Sequence, residues 1–306
     1  MWRTVIIAKG ERIVLKSNWL VVYSEENESH IPIDDIYAVV MDNRAAMVSV
    51  GVLTALTNAG AHVLFCDEKH MPVSVLLPHN THYRPLAVVQ SQLGMGDDLK
   101  DALWQRIVQK KIQNQCEVLR LVSVPSARWE PIVLLAQTVQ PGDPQNREAV
   151  AAKRYFSALF GPGFSRADRD VTNAALNYGY AILRSAVGKT LAAYGYNCVL
   201  GIHHIGPRNP FNLADDLMEP LRPLVDYWVD SHMEELLDEL TASNRRGLVN
   251  LLNHVVRMEG KKTRVRYAID QYVSSLTTAI QKKDAQRLKL PDILRTDPFF
   301  EDDLDG

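Results

Sequence analysis

The chain has 306 residues, 46% of them hydrophobic and 23% charged, and a formal net charge of −2 at pH 7. This length suffices for two domains and a sizeable core, and the composition excludes a disordered chain. No apolar run reaches the roughly 18 residues that a membrane span needs, so no membrane partner is expected, and the net charge gives no global sign of a nucleic-acid partner.

The opening residues, MWRTVIIAKGERIVLKSN, lack the long apolar stretch and small-residue cleavage site of a signal peptide. Residues 1–85 then read as short strands. TVIIA, RIVLK, WLVVYS, HIPIDDIYAVVM, HVLFCD and PVSVLLP are rich in β-branched residues and separated by turn formers. One helix interrupts the series: Val48, Val52, Leu53 and Leu56 fall at helical spacing, and Gly60 ends it. A small β-sandwich or partial barrel is expected. After a boundary in RPLAVVQSQLGMGDD, near 85–97, the character changes. LKDALWQRIVQKKIQNQCEVLRLV carries Leu103, Ile107, Ile112, Val118 and Leu119 at helical spacing. NREAVAAKRYFSALFG, VTNAALNYGYAILRSAVGKTLAAYG, LADDLMEPLRPLVDYWVDSHMEELLDELT, NRRGLVNLLNHVVRM and RVRYAIDQYVSSLTTAIQKKDA also read as helices. The expected fold class is therefore α+β, with a small β-sandwich-like domain at 1–90 and a larger all-helical domain at 91–290. The acidic tail 291–306 is expected to be loosely ordered.

Charge is unevenly spread. Lys and Arg outnumber acids seven to three in 145–190 and nine to three in 254–290, whereas the tail carries six acids and one Arg. Solvated helix faces account for such runs, and so does a surface that attracts a polyanion. Cys66, Cys116 and Cys198 are odd in number and widely spaced. That suits free thiols in a reducing cytoplasm, where the protein is expected to reside, rather than a disulfide framework or a zinc site.

Two segments could carry chemistry. Glu148 lies near a helix start that Asn146 can cap, where an acid ordinarily complements the helix dipole; the functional alternative is a metal-binding carboxylate beside the basic Lys153 and Arg154. GIHHIGPRNPFNLADDLMEP, at 201–220, joins paired histidines to a Gly/Pro-broken loop and an acidic helix start. Asn212 can cap that helix, and Asp216 and Glu219, at i and i+3, project to one side of it, beside the stripe of Leu217, Leu221, Leu224 and Trp228. The acids need not be core. Asp215 and Asp216 also suit an ordinary helix start, and the histidines an ordinary turn. Two carboxylates and an imidazole together suit Mg²⁺ or Mn²⁺ with positions left for phosphate oxygens, but spacing does not establish that 148, 204 and 219 meet. No G-x-S-x-G elbow, P-loop or G-x-G-x-x-G after a strand occurs, and GPGFSRAD lacks phosphate-loop spacing. Tyr178 and Tyr180 could contact DNA or lie in the core.

Four stretches, WRTVIIAKGERI, NREAVAAKRYFSALFG, DVTNAALNYGYAILRSAV and LGIHHIGPRNPFNLADDLMEPLRPLVD, resemble in sequence, order and spacing the CRISPR-associated spacer-acquisition integrases, the universal first Cas protein, in the branch found with type II systems. The resemblance covers nearly the whole chain. It implies a β-rich dimerisation domain followed by a helical catalytic domain. It also implies a divalent metal, Mg²⁺ or Mn²⁺, held by Glu148, His204 and Glu219, with Asp216 as a supporting acid and His203 as a rival for His204. Ala149 departs from the family, which often has Gly after the glutamate. The implied activity is that of a metal-dependent DNA endonuclease and integrase: the 3′-hydroxyl of a captured fragment attacks a phosphodiester at the CRISPR leader–repeat boundary. The implied partners are double-stranded DNA, a second copy of the chain and the small companion adaptation protein; whether the type II effector nuclease joins is left open. Lys153, Arg154, Arg166 and Arg208 are then candidates for tracking phosphates. A non-catalytic DNA-binding scaffold and a repair nuclease acting on branched DNA are the alternatives.

Overall fold

The structure is a computed structural model that describes residues 3–10, 12–24, 27–78, 82 and 84–294. The chain divides into two compact units. The first holds the described residues up to Pro85 together with Ala192–Gly195, and the second holds Leu86–Leu191 with the described residues from Tyr196 onward.

The first unit contains β1 (Arg3–Ile7), β2 (Arg12–Lys16), β3 (Trp19–Tyr23), β4 (Glu28–Pro32), β5 (Ile36–Met41), β6 (Met47–Val48), α1 (Val50–Asn58), β7 (His62–Cys66) and β8 (Pro72–Leu76). They form two four-stranded sheets, ordered β1-β5-β7-β8 and β4-β3-β2-β6. Ile7, Val39 and Val63 of the first sheet share a core with Ile13 and Leu20 of the second and with Val52 and Leu56 of α1. The expected single strand HIPIDDIYAVVM is instead two strands, because a 3₁₀ turn over Ile33–Asp35 redirects the chain into the other sheet. β1, β5 and β7 run parallel. Parallel neighbours need a crossover, and β6 with α1 supplies the one between β5 and β7. That is why one helix interrupts the run of strands.

The second unit contains, apart from the end residues Pro85, Ala192 and Ala193, α2 (Pro85–Leu93), α3 (Asp97–Leu121), α4 (Ser126–Gln137), α5 (Arg147–Phe160), α6 (Val171–Ala193), α7 (Asn212–Met218), α8 (Arg222–Ser231), α9 (Ala242–Asn250), β9 (Val255–Met258), β10 (Lys261–Arg264), α10 (Val265–Lys282) and β11 (Asp292–Ile293). α3 is its centre, packed against α4, α5, α8 and the 3₁₀ turn Glu219–Leu221. α6 is buried on nearly all sides, and Tyr178 and Tyr180 on it are core residues. At Gly179 a Cβ would overlap Val225 of α8, so the missing side chain lets α6 and α8 approach closely.

The second unit departs from an all-helical domain in one place: β10, β9 and β11 form a three-stranded antiparallel sheet. HVVRM at the end of the expected helix 244–258 therefore belongs largely to a strand. It turns back through Glu259 and Gly260, both with positive φ. The expected helix 213–241 is broken as well. Pro220 and Pro223 have no N–H to donate, and the chain passes from α7 through the Glu219–Leu221 turn into α8, which ends at Ser231. α2, which begins inside the expected boundary segment, and α4, which contains Pro131, are helices beyond those expected. The expectation of loose order at 291–306 falls mostly on 295–306, outside the described residues. Asp292 and Ile293 contradict it, since they pair with β9 and Ile293 is buried.

Candidate active site

Glu148 is fixed by the start of α5. The Asp143 carboxylate accepts the backbone N–H groups of Arg147 and Glu148, each at 2.9 Å, and Asn146 accepts that of Ala149. Four helix-start donors have no partner within a helix, and here two side chains satisfy three of them. Ala149 is exposed, so its methyl does not crowd the interior.

The loop before α7 is organised by one buried acid. Asp216 is fully buried, and its carboxylate accepts the backbone N–H groups of Ile202, His203 and His204 at 2.6, 3.1 and 3.0 Å. It also faces Nδ1 of His204 at 2.6 Å. Gly201 must lack a side chain, because a Cβ there would overlap the His204 carbonyl oxygen and crowd Asp216. Asn212 is the first residue of α7 rather than its cap. Its amide ties the loop instead, donating to Val199 and Gly206 and accepting from the Gly206 N–H. Asp215 pairs with Asn209 at 2.7 Å.

The two histidines differ in kind. His203 lies flat on Trp104 of α3, with ring centroids 4.2 Å apart and planes 2° from parallel. His204 stands edge-on to Trp104 and is held by Asp216 through Nδ1, which leaves Nε2 as the ring nitrogen turned away from that acid. The Asp216 hydrogen bond raises the His204 pKa above its ordinary value. Partial burial opposes this, and the charges of Asp216, Glu219 and Glu148 add to it. His204 thus senses both glutamates.

Glu219 opens the 3₁₀ turn between α7 and α8 and is buried. Asn114 of α3 steadies this turn by donating to the Pro220 carbonyl at 2.7 Å and to that of Pro291 at 3.0 Å. Arg222 Nε lies 2.9 Å from Glu219 Oε1, and its guanidinium stacks over Tyr180. Lys111 of α3 links the glutamates, its Nζ 2.6 Å from Glu148 Oε1 and 2.5 Å from Glu219 Oε2. Burial works against charge on both Lys111 and Glu219 and is the largest influence on each. The opposite charges nevertheless prevail: the two glutamates raise Lys111, and Lys111 and Arg222 lower Glu219. The ionised pair is the resting form.

Of the residues singled out in the sequence, Glu148 and Glu219 thus converge on one cation, and Asp216 supports His204. The expectation that the acids at 216 and 219 need not be core is overturned, since both are buried in a polar interior of their own. Lys153, Arg154 and Arg208 are exposed. Arg166 is committed internally, to Asn173, to Asn177 at 2.6 Å and to the Tyr180 ring. Lys111, Arg222 and Asn114 are the site residues that the sequence reading missed. Burial pushes the Cys116 thiol up to about 11 and that of Cys198 to about 12, so neither supplies a thiolate.

The donors suit a hard or borderline divalent cation: two carboxylates that already share one cation, and an imidazole of fixed orientation nearby. Glu219 Oε2 is buried and accepts no well-directed hydrogen bond, only the ionic contact from Lys111. As the side chains stand, that ammonium holds the shared position. Among the described residues no three His, Cys, Asp or Glu side chains are arranged to hold an ion. Among them, too, no helix is long and apolar enough to cross a membrane.

A β unit followed by a helical unit, with buried carboxylates and a fixed histidine in the latter, defines a class of protein with an acid–imidazole site on helices. Residues 4–237 match the family model described as CRISPR associated protein Cas1, and the chain belongs to that family. The CRISPR-associated endonuclease Cas1 of Neisseria meningitidis serogroup C (strain 8013) is 40% identical over 296 residues, spanning 96% of this chain and 97% of that protein. Two solved structures share the fold. A casposase bound to integration product matches with a TM-score of 0.77 at 19% identity, covering 97% of this chain and 96% of that one. A Cas6-RT-Cas1–Cas2 complex matches with a TM-score of 0.74 at 18% identity, covering 96% of this chain and 36% of that one.

Proposed function

We propose that this protein is a metal-dependent DNA endonuclease and integrase of CRISPR adaptation. It joins the 3′-hydroxyl of a captured fragment to a phosphodiester at the leader–repeat boundary, in the cytoplasm. The observation that carries the reading is the convergence of Glu148 and Glu219, from separate elements, on a single cation position beside His204. The endonuclease name of the Neisseria relative and the integration product bound to the casposase support the chemistry.

Glu148, Glu219 and His204 would hold Mg²⁺ or Mn²⁺, which when bound polarises the scissile phosphate and stabilises the departing oxygen. Asp216 fixes the His204 ring through Nδ1 and so presents Nε2 for the ion. Arg222 keeps one oxygen of Glu219 occupied and the other directed at the shared position. No protein nucleophile is required, because the DNA end supplies the attacking hydroxyl; water in its place gives hydrolysis. Exposed Lys153, Arg154 and Arg208 track phosphates, which makes binding salt-dependent. A homodimer of this chain with the small companion adaptation protein is the assembly we infer, by analogy with the Cas1–Cas2 complex of similar fold; the type II effector nuclease is a further candidate partner.

The test is a strand-transfer assay with the companion protein, a leader–repeat plasmid, a labelled duplex and Mn²⁺. Glu148→Ala and His204→Ala are expected to stay folded and bind DNA while losing about a thousandfold in joining, which corresponds to about 4 kcal/mol of transition-state stabilisation. DNA binding by the wild type with no Mn²⁺- or Mg²⁺-dependent joining would instead favour the scaffold reading. Cut but unjoined strands would favour a repair nuclease.

A further inference from the structure

Lys111 sits where the periodicity of α3 calls for an apolar residue. It shares the buried stripe of Trp104, Ile107, Val108 and Ile112, and only 8% of it is exposed. A lysine is almost never this buried without a partner, and Lys111 has two. Its ammonium contacts one oxygen of each glutamate that the proposed site assigns to the cation.

The geometry distinguishes it from Arg222. Arg222 occupies the Oε1 side of Glu219 and is braced on the Tyr180 ring, so it can remain while a ligand occupies the other oxygen. Lys111 occupies Oε2 of Glu219 and Oε1 of Glu148, the position that the two acids share. It donates a hydrogen bond to Glu148 Oε1 at 2.6 Å, and its contact with Glu219 Oε2 is ionic, as is that of Arg222 Nε with Oε1. What separates the two is the shared position and the stem: Arg222 is braced on an aromatic ring, whereas the four-carbon lysine stem can withdraw its head group. An ammonium and a divalent ion cannot both occupy that position, because the like charges would lie within contact distance inside a poorly screened interior.

We propose that Lys111 is a displaceable counter-ion of the Glu148–Glu219 pair. It holds the two carboxylates together until a divalent cation takes its place, and it thereby sets the metal concentration at which the site assembles. This rests on the reading of the site as one that takes a divalent cation. Lys111 acts through the carboxylates and is a positioning residue. If the bridged form makes up all but about a tenth of the free protein, apparent metal affinity is reduced about tenfold, because only the unbridged fraction is competent.

The experiment is a Mn²⁺ titration of the full chain without DNA, read by the loss of the free-Mn²⁺ electron paramagnetic resonance signal and, in parallel, by melting temperature. Lys111→Met keeps the length of the side chain and removes its charge. It is expected to bind Mn²⁺ at about tenfold lower concentration than the wild type, to melt lower without metal, and to gain more from Mn²⁺. Lys111→Arg, which keeps a bridging cation, is expected to titrate near the wild type, and Glu148→Gln to lose the site in either background. If Lys111→Met does not fold, Lys111→Gln takes its place with the same expected direction. A midpoint that is unchanged or raised in the uncharged variant, with binding still dependent on Glu148, overturns the counter-ion role and leaves the metal site standing. If neither the wild type nor the uncharged variant shows Glu148-dependent binding, the metal reading itself fails and the counter-ion role with it.

Discussion

Glu219 and Asp226 lie on neighbouring turns of the same chain segment, both buried, and their surroundings treat them in opposite ways. Glu219 is given cations, Lys111 on one oxygen and Arg222 on the other, and stays ionised despite its burial. Asp226 is given hydroxyls: Tyr180 donates to it, Tyr155 lies close by, and Arg166 and Arg222 are more distant influences. Burial wins there, and the Asp226 carboxyl is pushed up to about 6. Burial alone therefore does not decide whether an acid is ionised; the charge of the group facing it does. The region around Glu219 keeps a buried carboxylate ionised between Lys111 and Arg222, whereas the region around Asp226 is a polar seam in the core.

The most disruptive way to break this contrast is to remove the acid that shapes the site without belonging to the pair. Asp216→Ala leaves three backbone N–H groups and the His204 ring without their acceptor in a buried loop. It is expected to cost about 4 kcal/mol of unfolding free energy, measured by urea denaturation. A loss within about 0.5 kcal/mol, the range of an ordinary surface change, would mean that the loop is held by something other than this carboxylate.

Asp226 offers the reverse test, by pH. Its folded pKa lies above the unfolded value of 3.8, so its stabilising contribution is fully present below about 3.8 and is lost as pH rises through about 6. Above that, the ionised carboxylate costs the folded state up to about 3 kcal/mol. Asp226→Asn can still accept from Tyr180 and carries no charge. Relative to the wild type, it is expected to gain stability at pH 8 and to lose that advantage near pH 4. A stability difference that does not change with pH would show that Asp226 does not titrate in this range.

Why the groups that surround these acids escaped the sequence reading is physical. The helical spacing that placed Leu103, Ile107 and Ile112 on one face of α3 also places Lys111 there, and a lysine on an apolar stripe is a signal of a buried partner. The partners, Glu148 and Glu219, are remote in sequence, so the charge balance is visible only once α3, α5 and the Glu219 turn pack together. The choice of Glu148, His204 and Glu219 came from the family resemblance; spacing alone could not have made it. Most strands of the first unit and the helices α3, α5, α6 and α10 were legible because each carries its own period or turn formers; β6 was not, because its Val48 also fits the helical spacing of α1. The β9–β10 hairpin was not, because VVRM continues an apolar helical pattern and its turn is Glu-Gly rather than Asn-Gly or Asp-Gly. Both turn residues have positive φ, at 48° and 79°, as a type I′ turn requires. Asn114 was hidden for the same reason as Lys111, since both are polar residues on a core face whose partners lie far along the chain.

A smaller effect sharpens the comparison at the seam between α6 and α8. Gly179→Ala places a methyl against Val225, beside Asp226. Forcing the two helices apart is expected to cost about 2 kcal/mol and to let water reach Asp226, which would bring its carboxyl back toward the ordinary range. Thermal melts at several pH values read both effects. A destabilisation that leaves the pH dependence intact would show that packing and the buried acid are independent.

The smallest effect concerns His203, the neighbour that most resembles a site residue in the sequence. Its ring contributes a parallel stack on Trp104, and its backbone N–H reaches Asp216. His203→Ala keeps that N–H and removes the stack, which is worth about 1 kcal/mol. A melting temperature a few degrees lower, with Mn²⁺-dependent joining close to that of the wild type, is therefore expected. Loss of joining as deep as that expected for His204→Ala would move the functional ring by one residue. It would also mean that the Asp216 contact to Nδ1 of His204 orients a side chain the reaction does not use.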